Sequence, residues 1–250
     1  MVKRSKNVVA IIQARMRSTR LPGKVLLDLA GKPVIFHIIE RVKRIPALDA
    51  FVIATTGSKS DDPIVDYCLS EKWEFFRGDE ADVLDRHYRA AQKTGAGDIL
   101  RVTADCPLFC HLEANKMIEL HIARDADYTH NINVLGVPIP IGGGCEVFKF
   151  SALEKSWKEG HAPHHREHVD EYAIEHPDIF KTEKVLPPPE IARKDFRLTL
   201  DTQQDLSLFR EIFARLYRPP DVITLAQAIS LLDDNPALLE INRHIIQKRY

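Results

Sequence analysis

The residues best suited to chemistry fall in one short stretch near the start of the chain, Gln13-Ala14-Arg15-Met16-Arg17-Ser18-Thr19-Arg20-Leu21-Pro22-Gly23-Lys24. Arg15, Arg17, Arg20 and Lys24 supply four cations, Ser18 and Thr19 two hydroxyls, and Pro22-Gly23 a turn. Directly ahead lies Val8-Val9-Ala10-Ile11-Ile12, too short and too β-branched for a helix, which predicts a buried strand over residues 7–14. In an open parallel sheet, ligands bind beyond the carboxyl ends of the strands. A loop of this composition there suits a polyanion, because guanidinium groups fork onto phosphate oxygens and an ammonium adds a point charge. A solvated basic loop is the plainer alternative. Neither G-x-G-x-x-G after the first strand nor G-x-x-x-x-G-K-[ST] occurs, so the two commonest phosphate loops are excluded.

Two acids close other apolar runs. Asp105 follows Ile99-Leu100-Arg101-Val102-Thr103-Ala104, and Asp201 follows Phe196-Arg197-Leu198-Thr199-Leu200. Aspartates past buried strands can hold Mg²⁺, which takes one or two carboxylates and completes its shell with phosphate oxygens and water. Each could equally cap the next helix or turn. With a cationic first loop, the pair favours the metal.

Three further features need weighing. His164-His165-Arg166-Glu167-His168 spells H-x-x-E-H, a zinc-hydrolase pattern; on a helix from Pro163, His164 and His168 would share a face beside Glu167. A five-residue match is cheap in a chain with 11 histidines, and an ordinary helix face or subunit contact is the simpler account. Gly142-Gly143-Gly144 is either a tight turn or a mobile loop beside a substrate. Cys106 and Cys110 have half the ligands of a metal site and no partner pair, and four cysteines without a CxxC suit a reducing cytosol.

The elements that must position these groups alternate. Strands are predicted at 51–55, 74–77 and 98–103, with helices from Pro33, over 62–72 and over 81–93, a rhythm of βαβ units and a mostly parallel sheet. After about residue 127 the texture changes to short strands at 128–132, 145–150 and 180–185, with helices near Leu153 and Glu167. The buried-strand pattern then returns at 196–201, before helices over 204–217 and from Leu225. The expected architecture is one α/β domain over residues 1–250 with an inserted α+β subregion of about 128–190. A net charge of −1 and no basic stripe argue against nucleic-acid binding. The apolar run after the basic start is too short for a signal peptide, and no stretch approaches the roughly 18 residues of a membrane span. A cytoplasmic enzyme is expected.

Six spaced motifs carry a resemblance over nearly the whole chain. Residues 11–15 with 20–24 resemble the signature of cytidylyltransferases that make CMP-linked acidic sugars, the acylneuraminate and 3-deoxy-manno-octulosonate enzymes. Residues 77–86, 103–108, 166–169, 200–202 and 239–242 are similar to the branch named after spore coat polysaccharide biosynthesis protein F. The resemblance implies a GT-A-like nucleotidyltransferase fold, CTP and an acidic sugar as substrates, release of pyrophosphate, Mg²⁺ and a homodimer, in polysaccharide biosynthesis. Carried over by position, Arg15, Arg20 and Lys24, with Ala14 and Ser18 in the same loop, would hold the triphosphate, and Asp105 and Asp201 the metal. Thr55 and the loop from Arg77 to Asp82 would lie near the base or ribose. Two positions depart: Arg17 stands where relatives commonly have glycine, and Gly144 where they tend to have aspartate. A GT-A glycosyltransferase, which typically uses a D-x-D, and a non-catalytic nucleotide-sugar binder are the remaining alternatives.

Overall fold

A computed structural model describes residues 7–247. In chain order the strands are β1 (Val8–Gln13), β2 (Asp28–Leu29), β3 (Lys32–Pro33), β4 (Ala50–Thr56), β5 (Phe75–Gly78), β6 (Asp98–Thr103), β7 (Tyr128–His130), β8 (Glu146–Lys149) and β9 (Thr182–Lys184). The α-helices are α1 (Val34–Val42), α2 (Asp62–Glu71), α3 (Val83–Thr94), α4 (His111–Arg124), α5 (Phe150–Glu159), α6 (Pro163–Glu167), α7 (Glu171–Glu175), α8 (Gln203–Leu216), α9 (Leu225–Asp234) and α10 (Pro236–Leu239). Seven strands form one sheet in the order β5-β4-β1-β6-β8-β7-β9, and β2 pairs only with β3. β5, β4, β1 and β6 run parallel; β8 is antiparallel to both its neighbours.

β1 lies at the centre because both its faces are apolar. Val8, Ala10 and Ile12 enter one layer with α1 residues Ile35, Ile38 and Ile39, while Val9 and Ile11 enter the other with Leu84, Ala90 and Leu153. Continuous apolar strands of this kind suit a sheet covered on both sides, each fully buried Val or Ile contributing roughly 1.5–3 kcal/mol. Side chains close the helix starts: the Asp82 carboxylate accepts from Asp85 N at 2.8 Å, and Thr202 and Thr224 form capping boxes with Asp205 and Gln227.

Residues 128–190 contribute β7, β8 and β9 to the main sheet. One expectation changes. The stretch 196–200 is buried as expected but is no regular strand. It makes a single bridge, Arg197 to Ile141, and its amides bond to Ile141 O at 2.7 Å and Asp105 O at 2.7 Å. Its neighbour is a loop bent by Pro140 and Gly142, which offers no regular ladder. No helix among the described residues is long and apolar enough to cross a membrane.

Candidate active site

The cationic loop is anchored at both ends. Ala14 N donates to Ala54 O at 3.1 Å, which continues the β1–β4 pairing past Gln13. Met16 N donates to Asp61 Oδ1 at 2.8 Å, and Gly23 N returns to Met16 O at 2.8 Å. Gly23 is left-handed, φ +69, and turns the chain so that Lys24 enters the cleft. Asp61 is 1% exposed; its carboxylate also accepts from the hydroxyls of Thr55 and Thr56 at 3.1 and 2.6 Å, so its buried charge is fully solvated by donors.

Two neighbouring cavities form one cleft at the carboxyl ends of β1 and β6. The first, about 250 Å³, is cationic, with Arg15, Arg17, Arg20, Lys24, Arg86 and Arg101 in its wall. The second, about 450 Å³, is lined by Asn133, Gly142, Gly144, Glu146, Asp170 and Thr199, among others. Asp105, Asp201, Arg20 and His168 border both. Asp105 and Asp201, 96 residues apart in sequence, therefore meet at the junction.

Lys24 Nζ donates to Asp105 Oδ2 and to Asp201 Oδ1, each at 2.8 Å. Burial works against the Lys24 ammonium, but the two carboxylates outweigh it and hold its pKa above the ordinary lysine value. Burial also disfavours ionised Asp105, yet the Lys24 charge and hydrogen bond bring its pKa down to about 2. Asp201 Oδ2 receives Arg197 at 2.8 Å and Arg20 at 3.2 Å. Beneath it, Asp205 accepts from Asp201 N at 3.0 Å and from Arg197 at 3.0 Å, and Asn242 donates to Asp205 at 2.9 Å. The motif at residues 239–242 thus serves the site from below.

Ala14, Arg15, Ser18, Arg20, Lys24, Asp105 and Asp201 all line the cleft. Thr55, Arg77 and Asp82 do not, and their side chains are committed elsewhere. Thr55 is fully buried on Asp61. Arg77 donates to Thr56 O, Ser58 O and Asp62 at 2.7–2.9 Å, pinning the turn after β4. Asp82 caps α3 and takes Arg166 Nε at 2.8 Å, so the motifs at 77–86 and 166–169 clasp one another. Each of the three side chains is thus bonded within the protein.

The zinc-hydrolase alternative fails on geometry. α6 ends at Glu167 and His168 is extended, φ −117 and ψ 114, so His164 and His168 share no helical face. His164 and His165 instead place Nε2 on Glu175 at 2.9 and 2.7 Å, and His168 faces the cleft. Cys110 is buried beneath the site, and Cys106 Sγ contacts the Thr103 hydroxyl at 3.1 Å; among the described residues they join no metal-ligating group.

Both departures have a structural account. Arg17 has no left-handed backbone, and it pairs with Glu80 at 3.1 Å on the rim. At Gly144 a Cβ would stand 2.4 Å from Asn131 O, so an aspartate does not fit this backbone. Gly142 is left-handed at φ +85, and Gly143 O accepts from Cys110 N at 2.8 Å, so the glycine run is a packed turn.

Sequence reasoning missed Arg86, Arg101 and His168. The first two sit inside α3 and β6, and no loop composition announced them. His168 belongs to a motif already noted, but its direction depends on where α6 stops.

The site is thus a cationic cleft at the ends of β1 and β6 where two aspartates converge, and comparison with known proteins gives its family. The cytidylyltransferase family profile matches residues 9–238, and the chain belongs to that family. It is 38% identical to an uncharacterized protein of Methanocaldococcus jannaschii, MJ1063, over 97% of each chain. It is 32% identical to the spore coat polysaccharide biosynthesis protein SpsF of Bacillus subtilis, over 92% of this chain and 95% of that one. Among solved structures, a cytidylyltransferase from Leptospira borgpetersenii superposes with a TM-score of 0.87 at 27% identity, over 98% and 99% of the two chains. A CMP:2-keto-3-deoxy-manno-octonic acid synthetase complexed with CTP shares the fold, with a TM-score of 0.61 at 16% identity over 84% and 100%. The protein is a CTP-dependent nucleotidyltransferase, which removes the glycosyltransferase and the non-catalytic binder.

Proposed function

We propose that the enzyme transfers CMP from CTP to an acidic sugar, with Mg²⁺ held by Asp105 and Asp201. One observation carries this: two carboxylates remote in sequence converge on a single cation at the end of a loop suited to phosphates. Both acceptor oxygens lie 2.8 Å from the same nitrogen, so their separation cannot exceed twice that distance. One ion with bonds of about 2.1 Å spans two oxygens up to about 4.2 Å apart, so at most a closure of about 1.4 Å is needed for both to bind it. Bound there, Mg²⁺ would neutralise charge on the α-phosphate and the leaving group.

The chain's own groups do the rest. Arg15, for which no ion pair occurs among the described residues, and Arg20 are set to grip the β- and γ-phosphates, and Ser18 offers a hydroxyl to them. An acceptor hydroxyl oxygen from the second cavity attacks the α-phosphorus. The bond to the bridging oxygen breaks, pyrophosphate leaves with the electron pair, and the hydroxyl proton passes to water. Positioning and charge neutralisation dominate such transfers. Arg20 and Arg101 border both cavities, and Arg101 is a cation available to an acceptor carboxylate. With this function go the cytoplasm, surface polysaccharide synthesis and a homodimer, as in the resemblance.

The test is a matrix of four nucleoside triphosphates against acidic and neutral sugars, followed by pyrophosphate release. The expected result is release with CTP that depends on an acidic sugar. Equal release with ATP, GTP and UTP, or with neutral sugars alone, would overturn the assignment.

A further inference from the structure

Lys24 occupies the place between Asp105 and Asp201 that the proposed function gives to a divalent ion. Its ammonium bridges the two oxygens at 2.8 Å each, from a side chain only 12% exposed. An ion bonded to the same oxygens at about 2.1 Å would lie within roughly 4 Å of Nζ, where like charges repel strongly outside bulk water. Ammonium and metal therefore compete for one pair of carboxylates.

The surroundings decide where a displaced ammonium can go. Toward the cationic half of the cleft it meets Arg15, Arg20 and Arg86, none of which accepts a proton or a charge. With the cleft free of nucleotide, leaving the carboxylates costs Lys24 its partners. With a triphosphate in that half, the same movement carries it onto phosphate oxygens. A lysine suits this exchange, being a point charge on a flexible four-carbon stem.

We infer that Lys24 is an exchangeable counter-ion that couples the metal to the nucleotide: the divalent ion enters the Asp105–Asp201 site together with the triphosphate, and Lys24 moves from carboxylates to phosphates as it does. The ligand this site admits is the metal–nucleotide chelate, and the free ion is turned away. This rests on the metal assignment above. Because coupling is reciprocal, metal must tighten nucleotide binding by the same factor that nucleotide tightens metal binding.

Mn²⁺ serves as the probe, its free fraction read from the solution electron paramagnetic resonance signal, with a non-hydrolysable CTP analogue and no acceptor. Wild-type protein should bind Mn²⁺ weakly alone and at least about tenfold more tightly with the analogue, a coupling within the usual range. Lys24→Met, similar in length but uncharged, should bind Mn²⁺ alone at least tenfold more tightly than wild type, with most of the coupling lost. Lys24→Gln should repeat this if the methionine variant folds poorly, and Lys24→Arg should retain weak binding. Unchanged or weaker Mn²⁺ affinity in both neutral variants, with binding still abolished by Asp105→Asn, overturns the exchange and leaves the metal assignment standing. Absence of Mn²⁺ binding in every state, analogue included, overturns the metal assignment and the exchange together.

Discussion

Replacing Gly142 by alanine tests whether the turn that borders the second cavity is fixed by packing. The position has φ +85, where an L-residue is strained by about 1–2 kcal/mol. A Cβ there would also stand 2.2 Å from Leu198 O and 2.7 Å from Leu198 C. Both are backbone atoms, so no rotamer relieves the contact and the main chain must yield, at about 1–3 kcal/mol for an overpacked site. Gly31 is the control: its φ is +81, yet a Cβ there meets nothing within 4 Å. Gly31→Ala should therefore show the dihedral cost alone, a fall in Tm of about 2–8 °C at the roughly 2–4 °C per kcal/mol of a chain this size. Gly142→Ala should fall by about 4–20 °C on the same scale. Leu198 is also hydrogen-bonded to Ile141 and lies three residues before Asp201, so the shift reaches the site. Activity well below Tm should drop by up to about 10²-fold, the cost of misplacing a reacting group by roughly 1 Å. Calorimetric scans of both variants, with urea titrations for free energies, decide the matter. Equal shifts for Gly142→Ala and Gly31→Ala would refute the close approach to Leu198.

Lys24→Ala should leave circular dichroism unchanged and lower turnover by roughly 10²-fold, the scale of one lost preorganised charge contact; turnover equal to wild type would return Lys24 to the surface. Arg166→Ala should cost about 1 kcal/mol or less for a part-exposed pair and Asp82→Ala about 1–3 kcal/mol, since it also removes the α3 cap, and a double-mutant cycle should show coupling between them; strict additivity would dissolve the clasp. Glu146 is held at about 7, raised mainly by burial despite Arg101. Its protonated form is favoured on folding, so the stability it contributes is full below pH 4.5 and lost as pH rises through about 7; Glu146→Gln should flatten the fall of Tm across that window, and an unchanged slope would place the titration elsewhere. His164→Ala should keep nucleotidyl transfer within about twofold of wild type, since His164 points at Glu175 on the surface; loss of activity would return that histidine to the site.

The parallel half of the sheet was legible because its strands carry apolar residues on both faces, and the helices that follow them begin at Pro33, at Pro63 and at the Asp82 cap. α4 went unread because half its buried positions are His111, Glu113 and His121, which break an apolar stripe. The stretch at 196–200 has the composition of a central strand, but pairing depends on its neighbour, and that neighbour is a loop. Loop position and residue type pointed to Arg15, Arg20, Lys24 and the two aspartates, and these line one cleft. Composition could not separate polar groups that face ligand from those spent on the fold. The bonds of Thr55 to Asp61, of Arg77 to backbone carbonyls and of Asp82 to Arg166 are contacts that composition does not show.

The bond from Gly23 N to Met16 O brings the chain back to the point where it entered the cationic loop. Met16 is moored to buried Asp61, so the seven residues from 17 to 23 hang from one fixed knot. Such a loop behaves as a cassette. Changes in the length or content of its outer part leave the heading at which Lys24 departs untouched, because that heading is set at the knot. Arg17, exposed and paired only with Glu80, shows one such change already accommodated. A lineage built on this frame can retune its grip on the nucleotide by rewriting a few exposed residues, while Asp61 and the strand ends stay as they are.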